Sequence, residues 1–428
     1  MENRRRKSKT RRSAKNNRPS NNAFSSERYV DRALRQPRAV SSETAMPTAV
    51  VSPINRCYSE KRNSDSSSSQ SVQENNQSKQ EILRKSRQRH SKRKQEEESY
   101  KMGNTTEETI TTGEEVEPEV KTPRGVSPYE TGISTCLRAF ASMCDTVTPE
   151  ILHNQFYSLP LPDPKECVVF AHPANAMMNR YSNIPCLDSS RILLEFLVTE
   201  CGVEYIHANR VRYPLLRNEF IITQGPLART VPEFWRMIWQ EKVESIIMLC
   251  KTVEDGRRKC SEYFSSTINL PTSYADGKLT TILRSWNREN DLVVSTIEFK
   301  YLSYSRTVIH YHWTGWPDFH APTDNAATMF SILRRVRGSK TPVVVHCSAG
   351  VGRSGTMVAL EMCLMTIANT RPIDIQSIVS SLRRCRALAV QSLEQYLSLY
   401  QLVLRFGQQN GYIAYKDVER FYRKVQNL

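Results

Sequence analysis

One ten-residue run carries most of the chemistry that the chain shows: His346-Cys347-Ser348-Ala349-Gly350-Val351-Gly352-Arg353-Ser354-Gly355. A cysteine stands six positions before an arginine, with small residues between them. A thiol beside a guanidinium and a helix N-terminus ionises readily, and the thiolate is the nucleophilic form. A guanidinium grips two phosphate oxygens in a planar fork, which an ammonium cannot do. The glycines let backbone approach a ligand closely. Cys347 is therefore the candidate nucleophile and Arg353 the candidate anion clamp, and Ser354 is placed to offer its hydroxyl to the sulfur. A structural cysteine in a strand-to-helix turn is the plain alternative, but it leaves the arginine and the glycines in register unexplained.

The flanking residues say how the run is held. Pro342-Val343-Val344-Val345 reads as a buried strand, and Met357 to Leu364 is dense, apolar and helix-compatible. Strand, tight loop and helix aim successive N–H groups at one point, which makes an anion site. Further strands are expected over 219–223, 245–249, 278–283, 292–301, 307–313 and 342–346. Helices are expected over 232–242, 328–335, 352–368, 372–384 and 392–406. The mixture argues for an α/β (α+β) sheet covered by helices.

The run resembles the signature of cysteine-based protein phosphatases, and six further motifs narrow the likeness to classical protein tyrosine phosphatases of the non-receptor type. Trp316-Pro317-Asp318 looks like that family's mobile acid loop, and Asn179-Arg180-Tyr181 like its phosphotyrosine-recognition loop. Gln224-Gly225-Pro226-Leu227, Phe234-Trp235-Arg236-Met237, Lys259-Cys260-Ser261-Glu262-Tyr263 and Val390-Gln391-Ser392-Leu393-Glu394-Gln395 fall in family order. The likeness runs over residues 130–410.

The resemblance implies a twisted mixed central sheet flanked by helices and a hydrolase acting on phosphotyrosine in proteins. Cys347 would attack phosphorus, while Arg353 and the backbone amides of Ser348, Ala349, Gly350, Val351, Gly352 and Arg353 would hold the equatorial oxygens. Asp318 would protonate the leaving phenolate and then activate water as a base. Gln391 resembles the glutamine that positions that water, and Gln395 its helper one turn later. His346 would orient the loop and tune the thiol, or serve as a core histidine bonded to backbone. Glu254 would brace Arg353 and Lys259 would share its loop, unless both are ordinary surface charges. Tyr181 would wall a deep cleft that shorter phosphoserine and phosphothreonine cannot reach down. A broader-specificity cysteine phosphatase, or a module that binds phosphotyrosine without turnover, is the alternative function.

The chain departs from the family pattern at several places. Asn183 stands where an aspartate usually anchors substrate backbone, and Ser182 where a basic residue is frequent. Tyr205-Ile206-His207-Ala208-Asn209 replaces the usual Tyr-Ile-Asn-Ala-Ser, and His320 replaces the common acid-loop glycine, which would change its closing kinetics. Cys347, Arg353 and Asp318 are all kept.

Composition bounds the rest. Of 428 residues with a net charge of +16, the first hundred hold about 24 basic and about 11 acidic residues and few aromatics. Such a stretch cannot bury enough apolar surface to order itself, so residues 1–125 read as a disordered basic arm with an acidic, proline-containing linker (Glu107, Glu108, Glu114, Glu115, Glu117, Glu119; Pro118, Pro123, Pro128). Residues 126–410 read as the catalytic domain and 411–428 as a C-terminal helical extension. The arm's clusters, Arg4-Arg5-Arg6-Lys7 with Arg11-Arg12, and Arg84 to Lys94, suit an import receptor, RNA, an anionic membrane surface or simple solvation. Adjacent Ser8, Ser13, Ser86 and Ser91 could be phosphorylated to switch that charge. No eighteen-residue apolar span and no secretory h-region is seen, so neither a transmembrane segment nor a signal peptide is expected. The eleven cysteines form no CxxC pair, so neither a metal nor a disulfide framework is expected. The reading calls for no cofactor and for an intracellular, reducing setting, cytoplasm with the nucleus as an option.

Overall fold

The computed structural model describes residues 127–322 and 326–426. The expectations for the basic arm, its partners and its phosphorylation fall outside the described residues.

In chain order the helices are α1 (Pro128–Thr146), α2 (Pro149–Tyr157), α3 (Val231–Gln240), α4 (Ala326–Val336), α5 (Arg353–Ala368), α6 (Ile375–Arg383), α7 (Leu393–Gln409) and α8 (Glu419–Val425), besides short helical turns. The strands are β1 (Arg191–Leu193), β2 (Tyr205–Val211), β3 (Phe220–Thr223), β4 (Ser245–Met248), β5 (Val253–Glu254), β6 (Arg257–Arg258), β7 (Pro271–Tyr274), β8 (Leu279–Glu289), β9 (Leu292–Tyr301), β10 (Tyr304–Trp313) and β11 (Val343–His346). Nine strands form one twisted mixed sheet in the order β1-β2-β3-β11-β4-β10-β9-β8-β7, and β5 and β6 form a separate hairpin.

The four strands β3, β11, β4 and β10 are parallel, and the outer strands are antiparallel. Parallel strands are covered on both faces and so read as continuous apolar runs. Val343, Val344 and Val345 of β11, Phe220, Ile221 and Ile222 of β3, and Ile246 and Ile247 of β4 are all fully buried. The register sets Thr223, Met248, His312 and His346 abreast; β3, β4 and β11 end there and β10 runs one residue further, to Trp313. The loops that follow these carboxyl ends meet at one edge, the usual ligand side of an open α/β sheet.

Helix α5 is buried all round from Arg353 to Ile367, and only its carboxyl end approaches solvent. Helices α1, α6 and α7 pack on it. Helix α1 begins at a capping box, Ser127 Oγ accepting from the Glu130 N–H and the Glu130 carboxylate accepting from the Ser127 N–H. Pro128, read from the sequence as linker, is thus the first residue of this helix, a position where its missing N–H and fixed φ cost nothing. In α8, Phe421 is fully buried and joins the same core as Leu137 and Phe140 of α1.

Most expected strands and helices appear within a few residues of the stated ranges. β8 runs on to Glu289 because its second half pairs with β9 even though its side chains from Arg284 to Arg288 are exposed. Helices α1 and α2 and strands β1, β2 and β7 were not expected.

Candidate active site

The signature loop, residues 347–352, leaves the end of β11 and enters α5 at Arg353. Cys347 is buried at its floor, and its Sγ accepts a hydrogen bond from the Gly350 N–H at 3.2 Å. Gly350 has φ +68, and a Cβ there would lie 2.1 Å from the Thr223 carbonyl oxygen, so only glycine fits. Gly225 is equally constrained: a Cβ would lie 2.7 Å from the Cys347 carbonyl oxygen. The Ser354 hydroxyl is buried with no hydrogen-bond partner among the described residues, so the expected bond from Ser354 to the sulfur is not made. The sulfur accepts from loop backbone instead.

Arg353 is fully buried and held from two sides. Glu254, at the end of β5, takes both Nη1 (2.7 Å) and Nη2 (2.9 Å), the bidentate geometry that orients a guanidinium. The acid loop supplies the Trp316 carbonyl at 3.0 Å and the Asp318 carboxylate at 3.2 Å. Burial opposes the charge of Arg353, but Glu254 and Asp318 outweigh burial and raise its pKa. Lys259 Nζ lies 2.8 Å from the other Asp318 oxygen, and despite burial this contact raises the lysine pKa. Glu254 and Lys259 are therefore parts of one ion-paired cluster, not surface charges.

Tyr181 is buried, and its hydroxyl lies 2.6 Å from Ser348 Oγ. Ser348 Oγ in turn donates to the Lys259 carbonyl at 3.0 Å, so the tyrosine is the donor to Ser348. Burial raises the Tyr181 pKa and keeps that proton in place. The neighbouring motifs find one another. Arg180 donates to the carbonyls of Gly225 (2.9 Å) and Pro226 (2.7 Å), and its own N–H donates to Gln224 Oε1 at 2.8 Å. Asn183 is half-buried on the loop beyond Tyr181.

Gln391 and Gln395 lie against Gly352, whose Cβ would sit 3.2 Å from Gln391 Oε1 and 3.0 Å from Gln395 Nε2. Gln395 Oε1 accepts from the Gln391 N–H at 3.1 Å. Three buried polar atoms on or against the signature loop have no partner among the described residues: Arg353 Nε, Ser354 Oγ and Gln395 Nε2. Unpaired buried polar groups gathered in one place point to a polar ligand.

Sequence reasoning missed the residues that hold this assembly rigid. Arg386 is fully buried and donates to the carbonyls of Gly350 and Ala349, both at 3.0 Å, and to Asn209 Oδ1 at 2.7 Å, and its Nη2 lies 3.2 Å from His207 Nδ1. Val390, β-branched with φ +61, is a strained residue directly before Gln391. Arg383 holds the strained turn through the Ala389 and Val390 carbonyls, both at 2.9 Å. The available signal was three arginines, Arg383, Arg384 and Arg386, set among the apolar residues from Leu382 to Val390.

The protein-tyrosine phosphatase family model matches residues 175–405, which takes in every site residue above. The chain belongs to the protein-tyrosine phosphatase family. It is 32% identical over 261 residues to human tyrosine-protein phosphatase non-receptor type 9, a match covering 56% of this chain and 44% of that protein. It is 36% identical over 236 residues to rat phosphatidylinositol phosphatase PTPRQ, covering 54% of this chain and 10% of that protein. The crystal structure of the catalytic domain of human protein tyrosine phosphatase non-receptor type 18 superposes with a TM-score of 0.56 at 28% identity, covering 62% of this chain and 99% of that one. The matches thus span less than half the length of these curated relatives. Among the described residues no helix is long and apolar enough to cross a membrane.

Proposed function

We propose that the protein is a tyrosine phosphatase that hydrolyses phosphotyrosine in proteins through a cysteinyl-phosphate intermediate. One observation carries the reading: a buried arginine beside the candidate nucleophile is braced by Glu254 and reached by the carboxylate of Asp318.

The steps follow from the site. Cys347 Sγ attacks phosphorus and the P–O bond to the aryl group breaks. Asp318 gives its proton to the departing phenolate oxygen. The loop amides and the Arg353 guanidinium, fixed beforehand, hold the three equatorial oxygens as charge shifts. In the second step Gln391 and Gln395 position a water, and Asp318 takes its proton. The water oxygen bonds to phosphorus, the P–S bond breaks, and thiolate and inorganic phosphate are released. His346 orients the loop from below, Glu254 aims Arg353, and Lys259 steadies Asp318. Tyr181 stacks on the phosphotyrosine ring and sets the cleft depth. The resemblance to a phosphatidylinositol phosphatase favours a second reading, of broader specificity; the walled cleft at Tyr181 argues against it.

An intracellular setting suits a catalytic thiolate, and the ten described cysteines are free thiols. The charge of residues 1–100 fits an anionic partner such as RNA, an acidic import receptor or a membrane surface.

The deciding experiment measures turnover by the full chain of matched phosphotyrosine and phosphothreonine peptides and of a phosphoinositide. Strong preference for phosphotyrosine, abolished in Cys347→Ser, is expected. Asp318→Ala should slow turnover while retaining substrate capture. Equal rates on all three substrates, or activity surviving Cys347→Ser, would defeat the reading.

A further inference from the structure

The acid loop is fastened to the first turn of α7 by residues that the reaction itself does not use. Ser392 Oγ donates to the Phe319 carbonyl at 2.7 Å. Glu394 accepts from the Ala321 N–H at 2.9 Å with one oxygen, and its other oxygen lies 3.0 Å from His320 Nδ1. Trp316, buried at the other end of the loop, donates its indole N–H to the His320 carbonyl at 2.7 Å. These contacts tie residues 316–321 to the turn that carries Gln391.

The fastening has something to hold. Phe319 has φ +64, the left-handed region that a non-glycine residue enters at a cost of about 1–3 kcal/mol. It directly follows Asp318, so the strained residue and the candidate acid are neighbours. Ser392 is also the N-cap of α7, its Oγ accepting from the Gln395 N–H at 3.1 Å. One hydroxyl therefore joins the helix start to the strained loop. Glu394 lies in that helix's first turn, where a carboxylate is favoured.

We infer that His320 and Glu394 form a clasp that holds the acid loop closed and so act as positioning residues for Asp318. This rests on the assignment of Asp318 as the acid. His320 stands where the family commonly has glycine, so the imidazole arm of the clasp is a property of this chain. Both side chains are about half exposed or more, 62% and 48%. The effect of the pair is accordingly small, about a two- to fivefold shift toward the open loop when it is broken.

The test uses the full chain with His320→Ala, Glu394→Ala and the double variant. Hydrogen exchange across residues 316–322, measured without substrate, should quicken about two- to fivefold in each single variant. The double variant should be little faster than Glu394→Ala alone. In turnover, kcat for a phosphotyrosine peptide should fall by a similar factor with KM little changed. An aryl phosphate with a more acidic phenol, which needs less help from Asp318, should be affected less. Unchanged exchange, strictly additive effects, or equal slowing of both substrates overturns the clasp. The exchange measurement stands even if phosphotyrosine proves not to be the substrate, so failure of the parent reading is recognised separately, by turnover that ignores Cys347→Ser.

Discussion

The Tyr263 hydroxyl lies 2.8 Å from His346 Nε2, and this contact fixes the state of the histidine that precedes the nucleophile. His346 Nδ1 faces the Cys347 carbonyl at 3.2 Å, and a carbonyl only accepts. Nδ1 therefore carries the proton, Nε2 accepts from Tyr263, and the tyrosine oxygen accepts in turn from His310 Nε2–H, which approaches it on the other side. A buried relay thus ends on the backbone of the nucleophile. Of the two roles read for His346 in the sequence, backbone bonding in the core is the one this contact displays.

Tyr263→Phe should break this relay without changing the packing of the ring. It takes away the hydroxyl that pairs one buried nitrogen on each of His310 and His346, so a loss of about 1–3 kcal/mol is expected in urea unfolding. Turnover should fall with it, because the Cys347 carbonyl loses its oriented donor. Wild-type stability in the variant would show that water or a ring flip replaces the hydroxyl.

Stability should weaken on the acid side. Burial pushes His346 down to about 3 and, with the Arg386 charge beside it, His207 down to about 3 as well. An unfolded histidine titrates near 6.5. Between these values the unfolded chain binds protons that the folded chain refuses, so folding stability is intact above about pH 6.5 and declines as pH falls toward 3. Each residue should account for about 2 kcal/mol of the loss by pH 5. Urea midpoints at pH 7.5, 6 and 5 check this, and His207→Asn should flatten the slope. Constant midpoints across that range would contradict neutral burial of these imidazoles.

Glu254→Gln should lower kcat/KM by about 10- to 100-fold, the equivalent of the 1.5–3 kcal/mol of a charge-assisted hydrogen bond. The glutamine is isosteric but can offer only one acceptor to a guanidinium that now uses two. The wild-type pairing is buried, so its contribution should change little between low and high salt. A variant with normal kinetics would mean that Trp316 and Asp318 suffice to aim Arg353.

Arg386→Lys should cost more than its conservative character suggests. A single ammonium cannot reproduce contacts to the Ala349 and Gly350 carbonyls and to Asn209 in one plane. A drop of about tenfold or more in turnover is expected with the secondary structure retained, measured by steady-state kinetics beside circular dichroism. Full activity would show that the signature loop holds its shape unaided.

The sequence exposed the site far better than it exposed the supports. Cys347 and Arg353 are legible because an anion dictates their types and spacing, Asp318 is legible through the resemblance of Trp316-Pro317-Asp318 to a family motif, and Val343 to Val345 are legible because a doubly covered strand is apolar throughout. Helix α1 was legible in principle. Ile133, Leu137, Phe140, Ala141 and Cys144 repeat at helical spacing behind the Ser127–Glu130 box, but the nearby prolines suggested linker. Arg386 was hidden for a physical reason: it stabilises backbone groups far away in sequence, and nothing local distinguishes it from a surface arginine. Arg383, although it grips carbonyls only six and seven residues on, is hidden in the same way, and Tyr263 was visible only as a motif residue, without its buried histidine partners. The second half of β8 was hidden because its side chains face solvent, and only pairing with β9 keeps it extended.

Thr223, Met248 and His346 end their strands side by side, level with His312, the next-to-last residue of β10. Both faces of these strands are covered, so slipping any of them by one residue would disturb close packing on both sides, and the core resists such a slip. The connecting segments beyond them carry no such burden, and His320, a departure from the family pattern, lies in one of them, while Asn183, another departure, lies on the loop before β1. Preference among targets and the tempo of each cycle can therefore drift from one relative to another while the sulfur stays anchored where it is.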